Sequence, residues 1–330
     1  MLGFLLARAG VDVVVLEKHA DFFRDFRGDT IHPSTLENIH ELGLLDEFLK
    51  LPHQELRQVE AQIGDRRYPV ADFSHLPTRC KFIAFMPQWD FLNFVASHAR
   101  RRKTFRLMME TEAVELLRDG ARIAGVAAHT RNGTIEIKAA LTVAADGRHS
   151  TMRAKSGLEV IDLGAPIDVL WLRLAKHADD PAESLGRALP GRLIIMIDRG
   201  EYWQCAFVID KGTFAAMRER GIDAFRAELA AALPRLGDRI AEIASWDEVK
   251  LLTVAVDRLS QWYRDGLLCI GDAAHAMSPV GGVGINLAIQ DAVAAANILT
   301  TPLLTGRVRE SDLRAVQHRR ERPTRSTQGI

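Results

Sequence analysis

Gly271-Asp272-Ala273-Ala274-His275-Ala276-Met277-Ser278-Pro279-Val280-Gly281-Gly282-Val283-Gly284-Ile285-Asn286 decides the fold of this 330-residue chain. The apolar run Leu267 to Ile270 leads into it, and the apolar helical pattern Leu287 to Leu299 leaves it. The order is strand, acidic turn, Pro/Gly loop, helix. A carboxylate stands at a strand end, and backbone N–H groups are left over at a helix start. Together they suit a ligand with hydroxyls on one side and an electron-rich or anionic edge on the other. The plainer alternative is a Gly/Pro loop capping a core helix. A dinucleotide fingerprint at Gly282-x-Gly284 fails on context: no strand directly precedes it, and no acidic strand end follows about 20 residues on.

The ordered series Gly-Asp-Ala-Ala-His, Pro279, Gly282-x-Gly284-x-Asn286 resembles the second flavin motif of the FAD-dependent aromatic hydroxylases, the single-component, para-hydroxybenzoate hydroxylase-like family. The resemblance implies an α/β fold, with a Rossmann-like FAD-binding domain interleaved with a sheet-rich α+β substrate domain. Within the motif it assigns Gly271, Asp272, Pro279, Gly282, Gly284, Ile285 and Asn286 to the cofactor. Asp272 would take ribityl hydroxyls, and the helix start would face the flavin pyrimidine edge. Pro279 would shape the reacting face. His275 is given a structural role and no proton transfer.

Composition fits this class. Apolar residues make up 47% and charged residues 26%, with 43 basic and 43 acidic side chains. That balance favours neither nucleic acid nor an anionic membrane. No apolar run reads as a bilayer span and no signal peptide is evident, so the expected location is cytoplasmic. Cys80, Cys205 and Cys269 are widely spaced in apolar runs and read as reduced core residues. The histidines show no metal-ligand spacing, and no metal is expected.

At the other end, Met1 to Ala9 is helical in pattern, Gly10 suits a helix C-terminus, and Val11 to Leu16 reads as a buried parallel strand. Glu17 follows, where a dinucleotide-binding unit places its ribose-binding acid. The Gly-rich turn expected about 20 residues earlier falls upstream of Met1. The chain therefore reads as an N-terminally truncated FAD domain, with an inactive remnant as one alternative.

Three further stretches carry candidates. Ala139 to Ala145 ends in Asp146-Gly147, followed by Ser150 and Arg153. The resemblance places such a segment behind the FAD pyrophosphate, and assigns Asp146, Gly147 and Arg153. It also assigns Arg27, in the loop before a helix whose Ser34 and Glu37 could form a capping box, and Gln88 at the start of the helix Gln88 to Arg101. Trp89 reads as core packing.

The flavin blocks are expected at 1–54, 87–165 and 258–330, and the substrate region at 55–86 and 166–257. Leu56 to Ile63, Arg67 to Val70, Cys80 to Met86, Val169 to Ala175, Arg192 to Asp198, Tyr202 to Ile209 and Val249 to Val256 read as its strands. Asn132-Gly133 and Arg199-Gly200 read as hairpin turns. Candidate substrate residues are Trp171, Arg173, Met196, Tyr202 and Gln204. Tyr202 and Gln204 share one face of their strand, and Trp203, Cys205 and Phe207 share the other; the sequence does not say which face lines a pocket.

The resemblance further implies NADPH or NADH as reductant, oxygen adding at flavin C4a, and transfer of one oxygen atom from a hydroperoxide to a small aromatic or quinone-like substrate. It leaves room for a homodimer. A flavin-dependent reductase on the same fold is the enzymatic alternative. A halogenase is disfavoured because no Trp-x-Trp-x-Ile-Pro segment occurs.

Overall fold

The computed structural model describes residues 1–23, 30–63, 66–180, 185–189 and 191–329. The β-branched run Val13–Leu16 forms strand β1, paired in parallel with β7 (Phe105–Met108). Helix α1 (Leu2–Arg8) reaches β1 through Gly10 at φ 93, a left-handed conformation that glycine adopts without a Cβ clash. A second parallel pair, β11 (Thr142–Ala144) and β20 (Leu267–Cys269), carries β19 (Tyr263–Arg264) at its antiparallel edge. All three residues of β20 are fully buried, as expected for a strand covered on both faces.

Helices α9 (Gly284–Leu304) and α10 (Glu310–Gln328) lie against this ladder. Leu268, Ile270, Ala295, Leu299, Leu313 and Val316 form their shared core. Here one expectation is corrected: α9 is long and apolar enough to cross a membrane by length and composition. Its apolar residues instead meet α1, β20 and α10, and Asp291 in its middle is buried among polar partners.

Strands β8 (Glu112–Asp119), β9 (Arg122–Thr130) and β10 (Gly133–Lys138) form an antiparallel excursion. Its hairpin loop is Arg131-Asn132 rather than Asn132-Gly133, because Gly133 already pairs with Thr130. A small sheet, β2 (Thr30–Ile31), β6 (Ile83–Phe85) and β3 (Gln54–Leu56), packs with α2 (Pro33–Glu41), α3 (Leu45–Phe48) and α4 (Gln88–Arg100).

The second lobe is a seven-stranded sheet. Its order is β17 (Lys250–Leu252), β13 (Ile167–Ala175), β16 (Tyr202–Asp210), β15 (Arg192–Asp198), β14 (Leu185–Leu189), β4 (Gln58–Ile63), β5 (Arg66–Asp72). Helices α6 (Phe214–Glu219), α7 (Ile222–Ala232) and α8 (Gly237–Ile240) cover the face carrying Leu172, Ile194, Trp203, Cys205 and Phe207. Strands β12 (Val160–Asp162) and β18 (Asp257–Leu259) pair between the lobes, following α5 (Thr151–Ser156).

Three boundaries differ from expectation. The strand read over Leu56 to Ile63 is two strands in two sheets, parted at Arg57. Residues 80–86 pack with Phe4, Leu36 and Phe91, so only β4 and β5 of the 55–86 block join the large sheet. Val249 to Val256 yields only β17, because the Val254 amide donates to the buried carboxylate of Asp168 (2.9 Å).

Candidate active site

Because β11 and β20 are parallel neighbours, the loops that follow them leave the same end of the sheet. One loop carries Asp146-Gly147-Arg148 and the other Gly271-Asp272. Gly271 turns at φ 58, and a Cβ there would stand 3.0 Å from the Ala288 methyl. The Asp272 carboxylate is 30% exposed, and Arg148 Nη2 lies 3.6 Å from its Oδ2. Arg148 was not among the expected site residues. The usable signal was a guanidinium directly after the turn glycine. Leu16 packs with Ala144, Cys269, Ala273 and Ala274, which brings the following residue, Glu17, to this same end. One Glu17 oxygen accepts from the His19 amide (3.0 Å).

Two side chains assigned to the cofactor are turned inward. Asp146 accepts from Ser150 Oγ (2.5 Å) and the Met152 amide (3.1 Å), which caps the start of α5. Arg153 donates to Asp257 (3.0 Å) and to the Arg148 carbonyl (2.6 Å). Both guanidinium and carboxylate thus hold the loop's shape. At Gly147 (φ 85) an added Cβ would have no atom within 4 Å, so the backbone there is bare.

The Pro/Gly loop is clasped to β2 and α2. Pro279 accepts from the Gly282 amide (3.0 Å), and Gly282 turns at φ 61, where a Cβ would collide with Thr30 Oγ1. The Asn286 side chain accepts from the His32 amide (2.9 Å) and Thr35 Oγ1 (2.8 Å), and donates to the carbonyls of Thr30 (3.0 Å) and Gly282 (3.2 Å). Its hydrogen-bonding capacity is filled inside the protein, so only the backbone of Asn286 can serve a cofactor. The His32 ring bonds the Gly281 carbonyl, and burial lowers its pKa against that bond. Ile285 packs half-buried onto the core beside α2 and α4. Among the described residues, no side chain caps α9, and nothing but Asp272 Oδ1, at 3.9 Å, lies near a Cβ built on Gly284. Arg27 falls outside the described residues.

Gln88 opens α4 after Pro87. Its neighbours Pro87, Trp89 and Asp90, with Pro52, His53, Gln54 and Phe85, form one wall of a cavity of about 420 Å³ between the lobes. Arg173, Asp198, Arg199, Tyr202 and Gln204 form the other. The pocket-facing side of β16 is therefore Tyr202/Gln204. Trp89 is a cavity wall as well as a packing residue, with its ring 4.8 Å from Phe23. Met196 is corrected: strand alternation turns it into the helix-covered core, away from the cavity. Trp171 shares the face of Arg173 but packs further along it, with Val169, Ala206 and Val254. Within the cavity, Arg173 lies 4.9 Å over the Tyr202 ring, and Arg199 Nε donates to Gln204 (3.0 Å). Asp198 is paired with Lys176 (2.6 Å), and burial raises the Asp90 pKa.

These features fit FAD. Bare glycine backbone at Gly147 and Gly284 would admit phosphates or a flavin edge close to the chain. An uncapped helix start favours negative charge, and a partly exposed carboxylate suits hydroxyls. The family described as FAD binding domain matches residues 1–328. The chain belongs to the FAD-dependent aromatic hydroxylase family. It is 30% identical over 334 residues to the 6-methylpretetramide 4-monooxygenase of Streptomyces rimosus, a match covering 98% of this chain and 79% of that one. Three other family relatives are longer, and the chain spans 57%, 59% and 61% of their lengths. In fold it is similar to PqsL of P. aeruginosa, solved with 2-aminobenzoylacetate (TM-score 0.81, 21% identity, 99% of this chain and 90% of that one). It is equally similar to the myxobacterial chondrochloren halogenase CndH (TM-score 0.83, 18% identity, 98% and 76%). The fold alone therefore does not assign a reaction.

Proposed function

We propose that this chain is a monooxygenase that uses FAD and NADPH or NADH to insert one oxygen atom into an aromatic or quinone-precursor ring. The observation that carries this reading is the cavity between the lobes, walled on one side by the helix start that also bears Gln88. Relatedness to a protein named 6-methylpretetramide 4-monooxygenase supports the same class. Bound FAD would supply reduction by the nicotinamide and activation of oxygen.

The residues then divide the work. Asp272 accepts hydroxyls of the cofactor chain, with Arg148 beside it. Backbone at Gly147, and Glu17 at the end of β1, serve the nucleotide half. The first turn of α9, from Gly284 to Asn286, offers N–H groups and a positive dipole end to an anionic edge. Pro279 shapes the space before that turn. Arg173, Tyr202 and Gln204 orient the substrate ring, while Phe85 and Trp89 exclude water from it. Two guanidinium groups in the wall, Arg173 and Arg199, favour a ring carrying negative charge or strong electron density.

A visible spectrum of the purified chain titrated with FAD, followed by NADPH oxidation under ¹⁸O₂ with candidate phenols, tests the reading. The expected result is a bound-flavin spectrum and product carrying one labelled oxygen. NADPH oxidation without label in the product would point to a reductase, and a folded chain that binds no flavin would remove the assignment.

A further inference from the structure

Asp291 sits midway along α9 with a fully buried side chain. One oxygen, Oδ2, accepts from the Gly271 amide (3.0 Å) and lies 2.6 Å from His275 Nε2. The other, Oδ1, accepts from Arg320 Nε of α10 (2.7 Å). Burial acts to raise the Asp291 pKa, but the bonds from His275, Arg320 and the Gly271 amide outweigh it and hold it below the usual carboxylate range. A carboxylate only accepts, so His275 Nε2 carries the proton in this pair. Both ends of the Gly271–His275 turn are thereby tied to one charge, with Asp272 suspended between them. Further along the turn, the His275 amide bonds back to the Gly271 carbonyl (2.9 Å).

We propose that Asp291 is a positioning residue for Asp272, acting through the Gly271 amide and His275, and that Arg320 makes the C-terminal helix part of the flavin site. The proposal rests on the flavin reading of the Asp272 turn. A carboxylate aimed at cofactor hydroxyls needs a fixed turn beneath it, and a buried charge held by three donors sets the turn in one arrangement. Arg320 also compensates the Asp291 charge, so a change in α10 reaches Asp272 through a single intervening side chain.

Two measurements on the full chain separate this proposal from the flavin reading. Amide hydrogen exchange without FAD compares the wild type with Asp291→Asn and with the paired Asp291→Leu/Arg320→Met, which removes both buried charges together. Exchange of the Gly271–His275 amides is expected to rise at least tenfold in both variants, while the distant β13–β16 pair stays protected. FAD titration then runs a cycle of Asp272→Ala, Asp291→Asn and the double variant. Each single change is expected to weaken FAD about tenfold or more, and the double variant to be no weaker than Asp272→Ala alone. Unchanged exchange, or additive losses in the cycle, would overturn the proposal. A wild type that binds no FAD would overturn the flavin reading, while the exchange result would still decide whether Asp291 holds the turn. Should Asp291→Asn not fold, the paired variant decides the exchange test, and Asp272→Ala combined with that pair replaces it in the cycle.

Discussion

Asn286 makes four hydrogen bonds, and each of them ties the start of α9 to the segment 30–35 or to the Gly282 turn. Replacing it with alanine takes this partner from the Thr30 carbonyl, the His32 amide and the buried Thr35 hydroxyl, while the Gly282 carbonyl keeps its bond from Thr30 Oγ1. Asn286→Ala is expected to lower stability by about 2–4 kcal/mol, measured by urea unfolding of the FAD-free chain. A loss under ~0.5 kcal/mol would mean that the clasp does not hold the loop. Gly282→Ala acts at the same place by a different route. It demands φ 61 of an L-residue and pushes a methyl into Thr30. Its expected cost is about 2 kcal/mol, again read from the urea midpoint, and a wild-type midpoint would show that the turn can relax. The motif made this segment legible in the sequence as a Pro/Gly loop leading into a helix. It could not show that the Asn286 side chain faces inward, because its partners stand some 250 positions away. Asp146 was opaque for a similar reason: an Asp-Gly turn followed by Ser150 is equally a helix cap.

At the scale of elements, the runs legible in sequence were short apolar stretches bounded by turn signals. Val11 to Leu16 and Leu267 to Ile270 read as strands and formed over Val13–Leu16 and Leu267–Cys269, but only the second is buried throughout, since Val14 is 43% exposed. Leu56 to Ile63 was opaque because β-propensity does not register which sheet a residue joins; the break at Arg57 is made by partners in two different lobes. Val249 to Val256 has strand composition throughout, but Asp168 captures the Val254 amide. The delivery of Asp272 depends on another local constraint. Gly266 turns at φ 78 between β19 and β20, and a Cβ there would collide with the Ile123 carbonyl of β9. Gly266→Ala is therefore expected to displace the entry of β20 and cost about 3 kcal/mol or more. The check is thermal unfolding by circular dichroism together with the FAD titration. Unchanged melting would mean that β9 moves aside at little cost.

At the scale of the whole molecule, the two lobes meet across the cavity, and periodicity along β16 gave its two faces without saying which looked inward. Only the helices α6, α7 and α8 settle that, since they cover Trp203, Cys205 and Phe207. Two buried carboxylates, Asp291 and Asp168, and a partly buried one, Asp180, hold separate parts of this architecture. Asp291 joins the Asp272 turn to α10, Asp168 binds Lys211 and the Val254 amide in the second lobe, and Asp180 binds Arg239. In each, burial pushes the pKa up most strongly of any single cause, but the hydrogen bonds and cationic partners together bring it below 3.8. A carboxylate with a lower pKa folded than unfolded takes up fewer protons in the folded state as pH falls. Its stabilisation is complete above the unfolded value near 4 and is lost as pH drops through the folded value. These three groups are therefore expected to contribute a nearly constant share of the unfolding free energy from pH 7 to about 5, while the lowered His32 pKa takes some stability away as pH falls through about 6.5. Below pH about 5 their share should fall by at most about 1.4 kcal/mol per pH unit for each such group. Asp168→Asn, Asp180→Asn and Asp291→Asn should each lower stability at pH 7 and flatten the acid limb. Urea unfolding at pH 7 and at steps between pH 5.5 and 3.5 reads both effects. An acid limb as steep in the three variants as in the wild type would place acid sensitivity in other carboxylates and leave these three as neutral packing.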